Sequence, residues 1–232
     1  LLYDDGLSSY SKNPLDFSQS TAYKICGKLF KLGIYRYRIK KLYLNNKGIG
    51  QGNRFQKIQL PSFLLYNPAR EILKSLFEYD QKASYLNRFK IIILGQMFEE
   101  LQGYNDYGLT DLFSHIDTTQ ILLRKHPRDQ TLYQNYVIDN GKNMWEMECM
   151  ENITNEHVLI SLCSTAQFCP KMIANKEPSL IFLYKIMLNK NSSLVKDYDL
   201  LTENLIRDYK DKTRIYIPCD LYEFNTVLKR FL

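Results

Sequence analysis

The chain has 232 residues, with 31 Lys and Arg against 25 Asp and Glu and a formal charge of +6. That length suits one large domain, or one complete domain with part of another, and the composition excludes a disordered segment, a collagen and a small disulfide scaffold. No apolar run approaches the roughly 20 residues that cross a bilayer, and five cysteines (Cys26, Cys149, Cys163, Cys169, Cys219) without a C-x-x-C pair fit buried free thiols in a reducing compartment.

The chain opens on Leu1-Leu2-Tyr3 and then Asp4-Asp5-Gly6. A carboxylate pair beside a glycine at a strand end is a general base, a metal site or simply a turn. There is no initiating Met and no signal-peptide pattern, so the expectation is a chain that begins inside a longer sequence. Apolar spacing predicts a helix over 22–32. Between Phe17 and Lys57 there is no acid, whereas Lys24, Lys28, Lys31, Arg36, Arg38, Lys40 and four further bases crowd the stretch. With Tyr35, Tyr37 and Tyr43 it reads as a solvated face, or as a patch drawn to an anionic membrane or acidic glycolipid. Nucleic acid is not expected, because no RRM, helix-turn-helix or zinc signature accompanies the bases. Gly48, Gly50 and Gly52 mark a loop, and Pro68 suits the first turn of a short helix at 69–77. No complete sheet is legible before residue 80.

After residue 80 short apolar runs alternate with helical patterns. The runs at 90–94, 120–124, 136–138, 158–162, 180–186 and 214–217 have the continuous apolar character of strands buried on both faces. Helices are expected at 109–115, 144–150, 165–173, 200–209 and 221–232. The alternation argues for an α/β fold with a largely parallel, doubly wound sheet, whose ligands bind at the carboxyl ends of the strands. The chain therefore divides near residue 80.

Two strand ends carry chemistry. After 120–124 comes Lys125-His126-Pro127-Arg128-Asp129. Proline holds the preceding residue extended, so His126 sits at a strand tip among Arg124, Lys125 and Arg128, a setting for phosphate or a lone surface histidine in a turn. After 158–160 comes Ser161-Leu162-Cys163-Ser164-Thr165. Ser-Thr at a helix start caps the helix, and such an N-terminus also receives anions. Asp106, in the loop after Gly95-Gln96, is a base or a turn residue. Trp145, beside Met144 and Met147, reads as packing.

In order and spacing these residues form a pattern. Asp-Asp-Gly, about 120 residues later Lys-His-Pro, and nearly 40 residues on Ser-Thr, resemble the motif set of bacterial sialyltransferases of the lipooligosaccharide type, glycosyltransferase family 52. The resemblance covers nearly the whole chain, best from Lys90 to Leu232 and poorly in the basic stretch. It implies a GT-B-type arrangement of two Rossmann-like domains, with 1–79 a remnant of the N-terminal domain plus a basic helical linker and 80–232 the nucleotide-sugar-binding domain. The N-terminal portion is thus incomplete against that pattern.

The implied reaction is an inverting transfer of sialic acid from CMP-sialic acid to a galactose-ended bacterial surface glycan, such as lipooligosaccharide or capsule. No cofactor and no metal are required. By motif match, His126 assists departure of the CMP phosphate, Ser164 and Thr165 hold it, and Asp5 or Asp106 is the base. Gly95, Gln96, Lys125 and Pro127 lie by the nucleotide, and Glu146 or Glu148 falls where a ribose-binding carboxylate belongs. The implied partners are the nucleotide-sugar donor and the glycan acceptor, in the bacterial cytoplasm. Peripheral contact with the inner face of the membrane and a homodimer are compatible with it. A catalytically inactive nucleotide-binding or oligomerisation module derived from such an enzyme is the alternative.

Overall fold

A computed structural model describes residues 2–3, 41–50, 56–61, 67–96, 112–113, 116–190 and 192–232. The chain forms two compact units. The smaller comprises Leu1–Pro61 and Asp199–Asp208, and the larger Ser62–Tyr198 and Tyr209–Leu232.

In the smaller unit, strands β1 (Leu2–Tyr3), β2 (Lys41–Leu44) and β3 (Gln56–Gln59) form a parallel sheet in that order. This corrects the expectation of no complete sheet before residue 80. Strand β2 alternates exposed and buried positions, with Leu42 and Leu44 inside, yet its polar neighbours hide the pattern in a run of bases. Asn204 closes onto this unit by donating to the Ile49 carbonyl at 2.9 Å. The helix expected at 22–32 and most of the basic stretch lie outside the described residues.

In the larger unit, α1 (Asn67–Leu76) precedes β4 (Ile91–Leu94), β5 (Ile121–Arg124) and β6 (Val137–Asp139). Next come α2 (Trp145–Glu151), β7 (Val158–Ser161), α3 (Thr165–Ala174) and β8 (Ser179–Phe182). The chain ends through α4 (Tyr184–Met187), α5 (Ser193–Asp208, of which 199–208 belong to the smaller unit), β9 (Ile215–Tyr216) and α6 (Leu221–Leu228). All six strands run parallel, in the order β6-β5-β4-β7-β8-β9. The fold is α/β with a Rossmann-like sheet: the order leaves β4 in one direction and resumes from it in the other, so the switch point lies between β4 and β7.

The central strands explain why the sheet forms. Every residue of β4, β7 and β8 is buried, as sequences apolar but for Ser161 at the end of β7 and Ser179 at the start of β8 require when both faces are covered. Each such Ile or Leu contributes about 1.5–3 kcal/mol on burial. Helices α2 and α3 pack on each other, and Phe168 of α3 meets Phe182 of β8 at 5.5 Å. The strand expected at 180–186 ends at Phe182, and Tyr184–Met187 turns into helix α4. A short apolar run does not by itself distinguish a buried strand from a buried helical turn. Helix α5 begins at Ser193, earlier than expected, with the Leu194 amide donating to the Ser192 hydroxyl. Of the helix expected at 109–115, only Leu112 and Phe113 are described, and both are buried. Among the described residues, no helix is long and apolar enough to cross a membrane.

Candidate active site

At the carboxyl ends of β4, β5 and β7 the larger unit opens a cleft of about 630 Å³. Gly95, His126, Trp145, Glu146 and Ser164 all contribute to its walls, as do Lys125 and Pro127. Strand β4 lies between β5 and β7, so a side chain at its tip would divide the cleft. Gly95 has none. Its amide donates to the Arg124 carbonyl at 2.8 Å, and an added Cβ would meet the His126 amide nitrogen at 3.1 Å and the Arg124 carbonyl at 3.2 Å. Close backbone approach therefore favours glycine there.

His126 is half-buried at the tip of β5. Its Nδ1 accepts the Arg128 backbone N–H at 3.2 Å, which places the ring proton on Nε2. No described residue is hydrogen-bonded to Nε2. A turn closes behind the ring, with the Asp129 amide donating to the His126 carbonyl at 2.9 Å. Asp129 is itself committed, accepting the Thr131 amide and the Tyr133 hydroxyl, both at 2.8 Å. Burial raises its carboxyl, but these donors more than offset that and hold it below the usual carboxylate range.

The tip of β7 is built from a buried polar hook. Ser161 donates to Gln167 Oε1 at 2.5 Å and accepts the Ser164 amide at 2.9 Å, while Gln167 Nε2 donates to the Leu159 and Ile181 carbonyls at 2.9 Å each. Gln96 Oε1 accepts the Cys163 amide at 3.2 Å, and the Ser164 hydroxyl accepts the Ala166 amide at 3.3 Å. Ser164 thus caps α3. Three amides at this tip are already satisfied by the chain itself, so the helix N-terminus has less to offer an anion than the bare motif implies. The donor left over is the Ser164 hydroxyl proton, which no described residue accepts. Thr165 does not line the cleft.

The remaining wall corrects the expected setting of His126. Arg124 is no loose phosphate ligand: Nη1 pairs with Asp139 at 2.6 Å, Nη2 donates to the Asn143 carbonyl at 2.5 Å, and the guanidinium lies 5.3 Å from the Trp145 ring. Gly141, at φ +66°, turns the loop beside that guanidinium. Arg128 contributes its backbone N–H, and its side chain does not line the cleft. Lys125 reaches the cleft but donates to the Thr131 carbonyl at 2.7 Å. Trp145 does more than pack, since its indole N–H donates to the Ala166 carbonyl at 2.6 Å while the ring forms cleft wall.

The two candidate ribose carboxylates separate. Glu146 is exposed at the cleft, whereas Glu148 is buried and turned into a network with Ser84 at 2.9 Å, Asn143 at 2.9 Å and Asn152. Glu148 accordingly fixes the start of α2 to the preceding chain. Asp5 and Asp106 lie outside the described residues. Asp139, Asn143 and Gln167 escaped the sequence reading, and Arg124 was read only as a base beside His126, because their partners are fixed by tertiary packing that no local pattern marks.

No family model matches the chain, and no curated protein matches it. Among solved structures it is similar to the wall teichoic acid polymerase TagF. Three such structures match at 15–16% identity with TM-scores of 0.39, 0.43 and 0.41; one is a substituted protein soaked with CDPG and another a second substituted protein. The match covers 93% of this chain and 53–54% of those chains, so the chain spans about half their length. A likeness this weak carries nothing about activity.

Proposed function

We propose that the cleft holds the nucleotide of an activated sugar and that the chain is the donor-binding part of an inverting glycosyltransferase. The observation that supports the reading is the convergence of His126 and Ser164, remote in sequence, on one cleft at the strand-order reversal, with Gly95 between them. Its volume suits a small-molecule site. In the finer form of the proposal the donor is CMP-sialic acid and the acceptor a galactose-ended surface glycan, as the motif resemblance implies.

In that reaction the acceptor hydroxyl oxygen bonds to the anomeric carbon while the bond from that carbon to the phosphate oxygen breaks. The bonding pair leaves with CMP, and the hydroxyl proton goes to a carboxylate base, Asp5 or Asp106. The leaving phosphate gains negative charge as the bond breaks. His126 Nε2–H and the Ser164 hydroxyl are the donors placed to meet it, and donors fixed before reaction cost no reorganisation at that moment. Glu146 receives the ribose hydroxyls.

Calorimetry with CMP tests this. Binding in the micromolar-to-millimolar range is expected, and His126→Ala removes a hydrogen bond to a charged group, worth about 1.5–3 kcal/mol. A weakening of roughly tenfold or more follows. No heat of binding with the unaltered chain overturns the nucleotide assignment. Turnover of CMP-sialic acid on lactose carries the finer reading, and CMP binding without turnover favours the inactive nucleotide-binding module instead.

A further inference from the structure

Arg124 closes β5 two residues before His126, and its guanidinium makes three separate attachments to the segment that joins β6 to α2. One arm pairs with Asp139 at the end of β6, the other donates to the Asn143 carbonyl, and the guanidinium carbon lies 5.3 Å from the Trp145 ring at the start of α2. The fork is planar and rigid, so these attachments fix the segment in direction as well as distance, which a lysine ammonium does not do. We propose that, with the cleft read as a donor site, Arg124 is a positioning residue. It acts through Trp145 to hold the neighbouring Glu146 carboxylate where the ribose hydroxyls arrive, and so gives the cleft a preference for a ribonucleotide.

Glu146 has no hold of its own. It is exposed at the cleft, and no described residue is hydrogen-bonded or ion-paired to its carboxylate. Its place therefore comes through the backbone from Trp145, which is buried and held twice, by the guanidinium at its ring and by its indole N–H on the Ala166 carbonyl of α3. Asn143 is pinned from the side away from Arg124 as well: its Nδ2 donates to the Asp80 carbonyl and to Glu148, and its Oδ1 accepts the Asp80 amide. Arg124 thus ties this wall to the strand that carries His126. Stability alone does not explain the arrangement, since a buried ion pair gives little net gain over apolar side chains of the same shape. Placing a carboxylate on a sugar hydroxyl, in contrast, needs a geometry held to within about 0.5 Å by supporting side chains.

Calorimetry with CMP and with dideoxy-CMP, which lacks both ribose hydroxyls, reads the preference. The unaltered chain is expected to bind CMP roughly tenfold more tightly, as hydrogen bonds to a carboxylate imply. Arg124→Met with Asp139→Asn leaves no buried charge unpaired. It is expected to bind both nucleotides alike, at the dideoxy affinity, and Glu146→Gln added to it is expected to change nothing further, because the two sites act as one. Arg124→Lys keeps a cation for Asp139 without the fork, and the same loss of preference is expected there. Glu146→Gln alone loses it too, whereas His126→Ala weakens both nucleotides by the same factor and keeps it. A merely structural Arg124 weakens CMP and dideoxy-CMP equally and leaves the Glu146→Gln effect undiminished. That pattern, in either Arg124 variant whose urea midpoint shows it folded, overturns the proposal. CMP binding by the unaltered chain without a ribose preference removes this role alone; no CMP binding at all removes the donor site and this role with it.

Discussion

His126 illustrates how a single backbone contact sets chemistry. Proline at 127 keeps the residue extended, the turn that follows brings the Arg128 N–H to Nδ1 at 3.2 Å, and the ring is left with its proton on Nε2. The extended strand-tip position of His126 was legible from Lys-His-Pro, as was Ser164 from its capping pattern, whereas the Arg128 contact and the tautomer it sets were not. The fate of Arg124 was not: nothing near it in sequence shows that it is consumed by Asp139 across to β6. Gly95 makes the next prediction. Its three nearest atoms for an added Cβ belong to the backbone of Arg124, Lys125 and His126, at 3.2, 3.3 and 3.1 Å, so none can swing aside. Gly95→Ala is expected to cost about 1–3 kcal/mol by overpacking, read from the urea midpoint, and to weaken CMP binding by moving the His126 tip. An unchanged midpoint with unchanged CMP affinity would mean that the tip tolerates the methyl and that close approach does not shape the cleft.

Elements were legible where one interaction dominates them. Strands β4, β7 and β8 declare themselves because burial on both faces leaves them apolar except for a serine at one end of β7 and of β8, and α3 because Ser164 marks its start. Helix α4 was hidden for the same reason the strands were clear, since Tyr184, Ile186 and Met187 are buried too and make the run look continuous. Polar ties between elements leave still less trace. Gln167 shows no exposure and links α3 to Ser161 and to the carbonyls of β7 and β8. Replacing it by Leu leaves the Ser161 hydroxyl without its acceptor, at about 1–3 kcal/mol for an orphaned buried group. The expected result is a lowered urea midpoint together with weaker CMP binding, because Ser161 also receives the Ser164 amide. The Arg124–Asp139 pair behaves more sharply. Both side chains are nearly enclosed, so Arg124→Met strands a buried carboxylate and is expected to cost about 3–5 kcal/mol. Adding Asp139→Asn should recover much of that loss; a double variant no more stable than the single one would show that the pair is not what Arg124 contributes.

For the whole molecule, strand order does what no residue pattern does: it places the tips of β5 and β7 on either side of β4 and so makes one cleft of two distant motifs. The sequence rhythm announced a parallel sheet but not its order, which depends on which strands pair. The same packing makes stability depend on pH. His157 is buried at the start of β7, its Nδ1 accepting the Thr154 amide at 3.0 Å and its Nε2 facing the Leu86 carbonyl at 3.3 Å. Burial lowers its pKa from the ordinary 6.5, and the Leu86 carbonyl only partly counters this. The unfolded chain therefore takes up a proton below about pH 6.5 that the folded chain resists. The stability in question is present above that pH and lost as the pH falls, by at most about 1.4 kcal/mol per pH unit for one group. Glu177 acts lower. Burial raises its carboxyl, but Lys171 at 2.5 Å and the Lys210 amide at 3.1 Å outweigh burial and hold it below the ordinary 4.5, so its contribution is present above 4.5 and lost beneath it. Urea midpoints measured against pH should stay level above about 7, decline from near 6.5, and steepen below about 4.5. His157→Gln removes the titrating group, so the variant should hold its own midpoint through the first decline and fall only with Glu177. If it declines in parallel with the unaltered chain between those two values, the acid sensitivity arises elsewhere in the molecule.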